Sequence, residues 1–219
     1  MGTKKSGELT KEHILKAAVE LADVIGMEDF TIRKLATALG VAPMNIYHYL
    51  SSKDDIVDGM VEVVFGEIEL PSGDEDWKTA IRRRCLSARA VLGRHPWAAP
   101  LMESRLTPGP AKLGHHDAVI GCLRRGGLSI ELTAHAYAIL DSYVYGFAFE
   151  EATLPSGETD MAEIASEMAQ SDFLADYPHL AELSGQHVMK PGYDFGDSFE
   201  FGLDLLIEGI DRASASVGA

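Results

Sequence analysis

Cysteine is scarce in this 219-residue chain, which holds only Cys85 and Cys122. Two thiols do not make a disulfide framework, and the expected setting is a reducing one, the cytoplasm. Long apolar runs are missing as well. Stretches such as Ala134–Leu140 fall far short of the roughly 20 residues a bilayer span needs, so no membrane partner is expected. The lysines of Met1-Gly-Thr-Lys-Lys have no apolar stretch behind them, so no secretory signal is expected. Strand-like alternation, internal repeats and low-complexity tracts are lacking. So are a phosphate loop, a dinucleotide fingerprint and a zinc-protease motif. Gly196-Asp-Ser-Phe-Glu has neither the second glycine of a nucleophile elbow nor a strand before it. These absences leave no catalytic residue, cofactor or metal to expect, and a helical enzyme is the remotest reading.

Basic charge is also in short supply, for the net charge is −15. Its distribution matters more than its sum. Residues 1–53 carry seven Lys/Arg against six Asp/Glu, whereas residues 54–219 carry twelve against twenty-eight. A nearly neutral head is joined to an acidic body. Such a body is repelled by phosphate, which suppresses non-specific nucleic-acid binding and leaves affinity to a few placed contacts.

What is present is helix periodicity, in a chain that is 46% hydrophobic and can bury a core. Thr10 caps a predicted helix to about Ile25, with Ile14, Ala17, Ala18, Leu21 and Ile25 on one face and Gly26 ending it. Thr31 caps a second, short helix, and Gly40 follows it as a left-handed turn residue. A third helix is predicted from about Ala42 to Leu50 with Pro43 in its first turn. Ser51 or Ser52 caps a fourth, over about 52–68. The Pro71-Ser-Gly-Asp-Glu-Asp segment reads as a linker. It divides the chain into a head, 1–71, and a body, 72–219. Helices follow at about 76–94, 97–105, 110–126 and 129–151, the third of these interrupted by Gly114 and Gly121. A weak acidic helix over 161–170, an irregular stretch over 171–193 and a last helix over 194–213 complete an all-α fold.

The stretch Thr31-Ile-Arg-Lys-Leu-Ala-Thr-Ala-Leu-Gly-Val-Ala-Pro-Met-Asn-Ile-Tyr-His-Tyr-Leu carries the sharpest signal. Leu35, Ala36, Leu39, Val41, Ile46 and Leu50 fall inward, leaving Pro43, Met44, Asn45, Tyr47 and His48 on the outer side of the second helix. That is the pattern of a helix-turn-helix, whose second helix enters the DNA major groove. Asn45 can pair bidentately with adenine, His48 can donate or accept, and Met44 can pack on a thymine methyl. The Tyr47 hydroxyl can reach phosphate. Thr31, Arg33 and Lys34 begin the helix that crosses the backbone, and Lys53 lies where helix N–H groups favour phosphate. The bland alternative is a helical hairpin with packed tyrosines.

Residues Ile14-Leu-Lys-Ala-Ala, Phe30-Thr-Ile-Arg-Lys-Leu-Ala, Leu39-Gly-Val, Ile46-Tyr-His-Tyr-Leu and Ser52-Lys-Asp-Asp resemble the DNA-binding domain of the tetracycline-repressor (TetR) family. Leu50 departs from it, where many members carry Phe. His95-Pro-Trp, Gly127-Leu-Ser and Ser142-Tyr-Val-Tyr-Gly-Phe extend the resemblance to the tetracycline-repressor subgroup. The resemblance implies a homodimer on double-stranded DNA at a palindromic operator, released by a small molecule bound in the C-terminal domain. In the tetracycline repressors a histidine holds a metal–drug chelate. That position falls near Met102 here, which speaks against tetracycline itself.

In the body, Ala138, Ser142 and Gly146, flanked by Tyr145 and Phe149, form a face of small residues that allows close helix approach. With Phe199, Leu203, Leu206 and Ile210 of the last helix, this face reads as a four-helix dimer interface, or else as the core of a single chain. Trp97, Met102, Leu113, His116, Tyr137, Leu140, Asp141 and Val144 read as an apolar ligand cavity with few polar anchors, or as ordinary core. His115-His116 point to different helix sides and make no metal set with Cys122. Arg82-Arg83-Arg84 reads as a body patch paired with local carboxylates. The rival to a ligand-responsive repressor is a helix-turn-helix regulator controlled by a protein partner.

Overall fold

The caps written into the sequence set where each helix begins. A computed structural model of the protein describes residues 9–73, 75–104, 108–154, 174 and 176–217. Helix α1 spans Lys11–Ile25, with the Thr10 side chain accepting from the His13 amide. Thr31 does the same for the Lys34 amide at the start of α2, Ile32–Leu39. Gly40 ends α2 with φ 67°, a left-handed conformation that costs a side-chain-bearing residue energy. Helix α3 is Pro43–Tyr47, and α4 is Lys53–Glu67. At the start of α4, Ser52 accepts from the Asp55 amide while the Asp55 carboxylate accepts from the Ser51 amide, both at 3.0 Å. The body follows with α5 (Trp77–Arg94), α6 (Ala98–Ser104), α7 (Pro110–Arg125), α8 (Ile130–Thr153), α9 (Pro178–Leu183) and α10 (Asp197–Val217). Among the described residues there is no strand, and no helix is long and apolar enough to cross a membrane.

Four segments depart from the sequence reading. Helix α3 stops at Tyr47 instead of Leu50, because the Tyr49 and Leu50 amides both donate to the Ile46 carbonyl and turn the chain so that Leu50 enters the core. Helix α7 runs unbroken through Gly114 and Gly121. The stretch expected to be irregular holds α9, with Pro178 in its first turn. It continues into one wide π turn, Ser184–Val188, closed by the Met189 amide on the Ser184 carbonyl at 2.9 Å. The last helix begins at Asp197 and runs to Val217. The acidic helix expected over 161–170 lies outside the described residues.

Two apolar clusters form. The first joins Ile14, Leu15, Ala18, Val19 and Ala22 of α1 to Phe30, Leu35, Ala36, Ile46, Leu50, Ile56 and Met60. The buried stripe of α1 thus includes Leu15 and Val19, while Ala17, Leu21 and Ile25 sit at its edge. The second cluster gathers α5, α7, α8 and α10. Helix α4 belongs to both. Its Ile56 and Met60 pack into the first cluster, and its Val61, Val64 and Phe65 into the second. Each such fully buried side chain contributes about 1.5–3 kcal/mol. A helix anchored this way in two cores cannot shift in one without disturbing the other.

Candidate functional site

Leu35 and Ala36 of α2 and Ile46 of α3 are buried, and Leu39 and Val41 are half-buried. The Val41 amide donates to the Ala36 carbonyl at 3.0 Å, fixing the turn between the two helices. With its inward residues committed, α3 presents Pro43, Met44, Asn45 and Tyr47 to solvent, followed by His48 and Tyr49. Met44 is 67% exposed, Tyr47 41% and Tyr49 44%, so three large side chains stand together on the outer side of this segment. Thr31, Arg33 and Lys34 are exposed at the start of α2. Lys34 lies 3.5 Å from Asp29, both well exposed, a pair of small worth. Lys53 donates to the Phe30 carbonyl at 3.2 Å, so its ammonium is held beside the head.

In the body, α6, α7 and α8 enclose a cleft of about 750 Å³. Ala99 and Pro100 line it from α6, Lys112 and His116 from α7, and Tyr137, Asp141, Tyr145 and Phe149 from α8. Its floor is polar. Asp141 lies 2.8 Å from the Arg84 guanidinium, which is 1% exposed. Arg84 Nε donates to His115 Nε2 at 2.9 Å. Burial pushes the His115 pKa down to about 3, helped by the charges of Arg84 and His116, so the ring is neutral and can accept that bond. Burial works against the charge of Arg84, but Asp141, Cys85 and Tyr145 together outweigh it and raise its pKa. The Tyr137 phenol is pushed up by burial first and then by Asp141. The His116 and Tyr137 rings meet edge to face, 5.4 Å apart. The carboxylate of Glu62, on α4, accepts from the Ala111 amide at 2.6 Å and the Lys112 amide at 3.1 Å, capping α7.

Known proteins resemble this chain in sequence and fold. The family model described as "Bacterial regulatory proteins, tetR family" matches residues 14–60. The one described as "Tetracyclin repressor-like, C-terminal domain" matches residues 70–213. The chain belongs to the TetR family. It is a DNA-binding transcriptional repressor of that family, and its relatives are regulators of transcription. The HTH-type transcriptional repressor DrrR1 of Streptomyces coeruleorubidus is 31% identical over 213 residues, spanning 93% of this chain and 77% of that protein. Apo ActR from Streptomyces coelicolor has the same fold, with a TM-score of 0.78 at 23% identity over 96% of this chain and 99% of its own. A TetR variant from Acinetobacter baumannii AYE, solved with minocycline, has a TM-score of 0.67 at 25% identity, over 94% and 99% of the two chains.

Of the eight expected to line a cavity, His116, Tyr137 and Asp141 do so. Met102, Leu140 and Val144 are sealed in the body core, on the inward side of their helices. Leu113 is 53% exposed, turned away from the cleft. Trp97 sits on the seam between the clusters and donates to Asp23 at 2.7 Å. The α10 half of the expected dimer face is internal to the chain. Phe199, Leu203 and Ile210 are buried and Leu206 is half-buried, all in the chain's own core. The apolar groups that α10 leaves exposed are Phe201 and Leu205, on its other side. Ala138, Ser142, Tyr145, Gly146 and Phe149 line the cleft.

Sequence reading missed Lys112 and the role of Arg84. The three consecutive arginines do pair with carboxylates. Arg82 meets Glu200 and Asp204, and Arg83 meets Glu69 and Glu75. Arg84, however, is buried, and its place was legible. It falls between Ile81 and Ala88 at three- and four-residue spacing, on the face of α5 that also carries Cys85. Cys85 and Cys122 are buried free thiols whose pKa values burial raises, which makes them poor nucleophiles. Among the described residues no three potential ligands form a metal set.

Proposed function

We propose that this repressor binds a palindromic operator as a homodimer and leaves it when a small amphipathic aromatic molecule enters the cleft between α6, α7 and α8. The observation that carries this reading is the Glu62 cap. A carboxylate on the helix shared by both cores holds the first turn of α7, the helix that supplies Lys112 and His116 to the cleft. A molecule that shifts α7 therefore pulls on α4, and through Ile56 and Met60 on the head. The effector acts by binding the DNA-free arrangement more tightly.

In this reading α3 enters successive major grooves, with Pro43, Met44, Asn45, Tyr47 and His48 at base edges and backbone, while Thr31, Arg33, Lys34 and Lys53 meet phosphate. The dimer forms through the exposed stripes of α8 and α10. Ile139 on α8 and Phe201 and Leu205 on α10 supply apolar area, and Ser142, Gly146 and Gly209 allow close approach. The second subunit then covers the open side of the cleft. The TetR variant solved with minocycline supports control by a small molecule, although Met102, near the position expected of the chelating histidine, is buried here. A cleft of about 750 Å³ favours a small molecule over control by a protein partner alone.

The test is selection of bound sequences from random DNA, followed by operator release with a panel of small aromatic compounds. A palindromic site that is released by at least one compound is the expected result. Monomeric protein at micromolar concentration, or an operator complex that no compound disturbs, overturns the reading.

A further inference from the structure

The charge layout of the cleft narrows what can bind there. Four groups decide it, and they come from three helices. Asp141 of α8 is 9% exposed and faces the cleft. Arg84 of α5 stands behind it, fully buried, with Nη2 at 2.8 Å from Asp141 Oδ1. His115 of α7 holds Arg84 Nε from the far side at 2.9 Å. Lys112 of α7 lines the cleft, its ammonium donating to the Met102 carbonyl at 2.6 Å.

These positions have two consequences. The guanidinium is pinned between a neutral imidazole and a carboxylate, so it cannot swing away. Asp141 is thereby fixed in place while its charge is cancelled at close range. A carboxylate so neutralised still accepts hydrogen bonds, yet it no longer attracts a cation through a net field. Lys112 adds a positive charge on the cleft wall, where the Met102 carbonyl holds it, while the Glu62 carboxylate is taken up by the α7 amides. Asp141 Oδ1 is buried against Arg84, so what the carboxylate offers to the cleft is its other oxygen, beside the Tyr137 phenol that also bonds to this carboxylate. Around this point stand the rings of His116, Tyr137, Tyr145 and Phe149, flat surfaces suited to stacking.

We propose that the cleft selects a planar aromatic ligand that is neutral or anionic and carries hydroxyl donors, and that Asp141, backed by Arg84, is the residue that reads those donors. The inference rests on the cleft being the effector site. A hydroxyl placed against Asp141 makes a charge-assisted bond in a largely water-excluded floor. An ether there leaves the carboxylate facing an apolar group. An ammonium there meets Arg84 and Lys112 within the same small volume.

The experiment measures binding of three probes to the full-length, unmodified protein by calorimetry. They are 2,6-dihydroxyanthraquinone, whose hydroxyls are not tied to the quinone carbonyls, its dimethyl ether and an anthraquinone bearing an alkylammonium chain. The expected result is that the dihydroxy compound binds at least tenfold more tightly than either of the others. Equal binding of phenol and ether, preference for the cation, or binding of none of the three overturns the proposal. Asp141→Asn is expected to remove most of the preference for the phenol. Because that variant leaves Arg84 without its partner, its folding is checked by circular dichroism, and the three-probe comparison stands without it. Pro100→Trp, on the α6 wall, separates this proposal from the reading it rests on. If it leaves probe binding intact, the probes bind elsewhere and the cleft reading falls. If it abolishes probe binding while the unmodified protein binds phenol and ether equally, the cleft stands and the hydroxyl preference falls.

Discussion

His95 Nδ1 lies 2.8 Å from the Oδ1 atom of Asp23, joining the end of α5 to the last turns of α1. The same oxygen accepts from Trp97 Nε1 at 2.7 Å, and the other ring nitrogen of His95 faces Glu67 of α4 at 3.2 Å. The Glu67 carboxyl feels a burial effect that raises its pKa, but hydrogen bonds from Arg94 and His95 bring it below its ordinary value. One imidazole therefore ties head, connecting helix and body together. Asp23→Ala is expected to cost about 1–3 kcal/mol, because it strands two donors at once. Urea unfolding of Asp23→Ala, His95→Ala and the double variant is the check. Additive losses would show that the two residues do not act as a unit.

Arg84 and Asp141 give the second prediction. Arg84→Met leaves a carboxylate with little exposure and no counter-charge, for an expected loss of about 3 kcal/mol. Arg84→Met with Asp141→Leu removes both charges and is expected to regain most of that loss. Equilibrium denaturation of the two variants decides it. If the double variant is as unstable as the single one, packing around the guanidinium matters more than its charge.

Stability should also depend on pH through His115. Its pKa is about 3 in the fold against 6.5 when free, so the unfolded chain binds a proton that the folded chain refuses. The contribution is fully present above pH 6.5 and is lost as pH falls through the window down to about 3. Within that window the slope is roughly 1.4 kcal/mol per pH unit for one proton. His115→Gln keeps an acceptor for Arg84 and is expected to flatten the slope by that one proton. Denaturation midpoints at pH 4.5, 5.5 and 7 read it directly.

Much of the head was legible because its signals are local. Thr31, Gly40 and Pro43 each act within a few residues, and the structure uses each as the sequence implied. The body was less legible because its apolar periodicity reports burial without saying against what. Phe199, Leu203 and Ile210 read as a stripe seeking a partner, and the partner is the same chain. Asp141 was readable as a polar group in an apolar helix. Its counter-ion lies 57 positions earlier and comes from a run of three arginines in which only the helical face of α5 singles one out. The π turn at Ser184–Val188 had no sequence signal, since Gly185 reads as a breaker.

The Glu62 cap yields a fourth prediction. A Cβ added to Gly109 would collide with the Glu62 carboxylate, although the Gly109 backbone is extended and suits any residue. Gly109→Ala should therefore displace the carboxylate from the α7 amides. A loss of about 1 kcal/mol is expected, the usual worth of a helix cap. If the cap transmits effector binding, Gly109→Ala and Glu62→Gln keep operator affinity but need more effector for release. Gel-shift titrations with effector measure it. Unchanged release in both variants would show that coupling runs by another route.

Helix α3 gives the last prediction. Asn45 stands exposed on α3 between Met44 and the buried Ile46, with no side-chain role in the fold. Asn45→Ala is therefore expected to leave stability unchanged while relaxing base preference at one position in each half-site, by about 1–3 kcal/mol. Lys53 differs, since its ammonium already meets the Phe30 carbonyl and lies 5.9 Å over the Phe30 ring. Lys53→Ala should weaken binding to all sequences alike and reduce the salt slope by about one. Sequence selection at two salt concentrations distinguishes the pair. A changed base preference in Lys53→Ala, or an altered salt slope in Asn45→Ala, would reverse the roles assigned to them. The acidic body makes this contrast easier to see, because a head with nearly balanced charge has few other phosphate contacts to mask the loss of one.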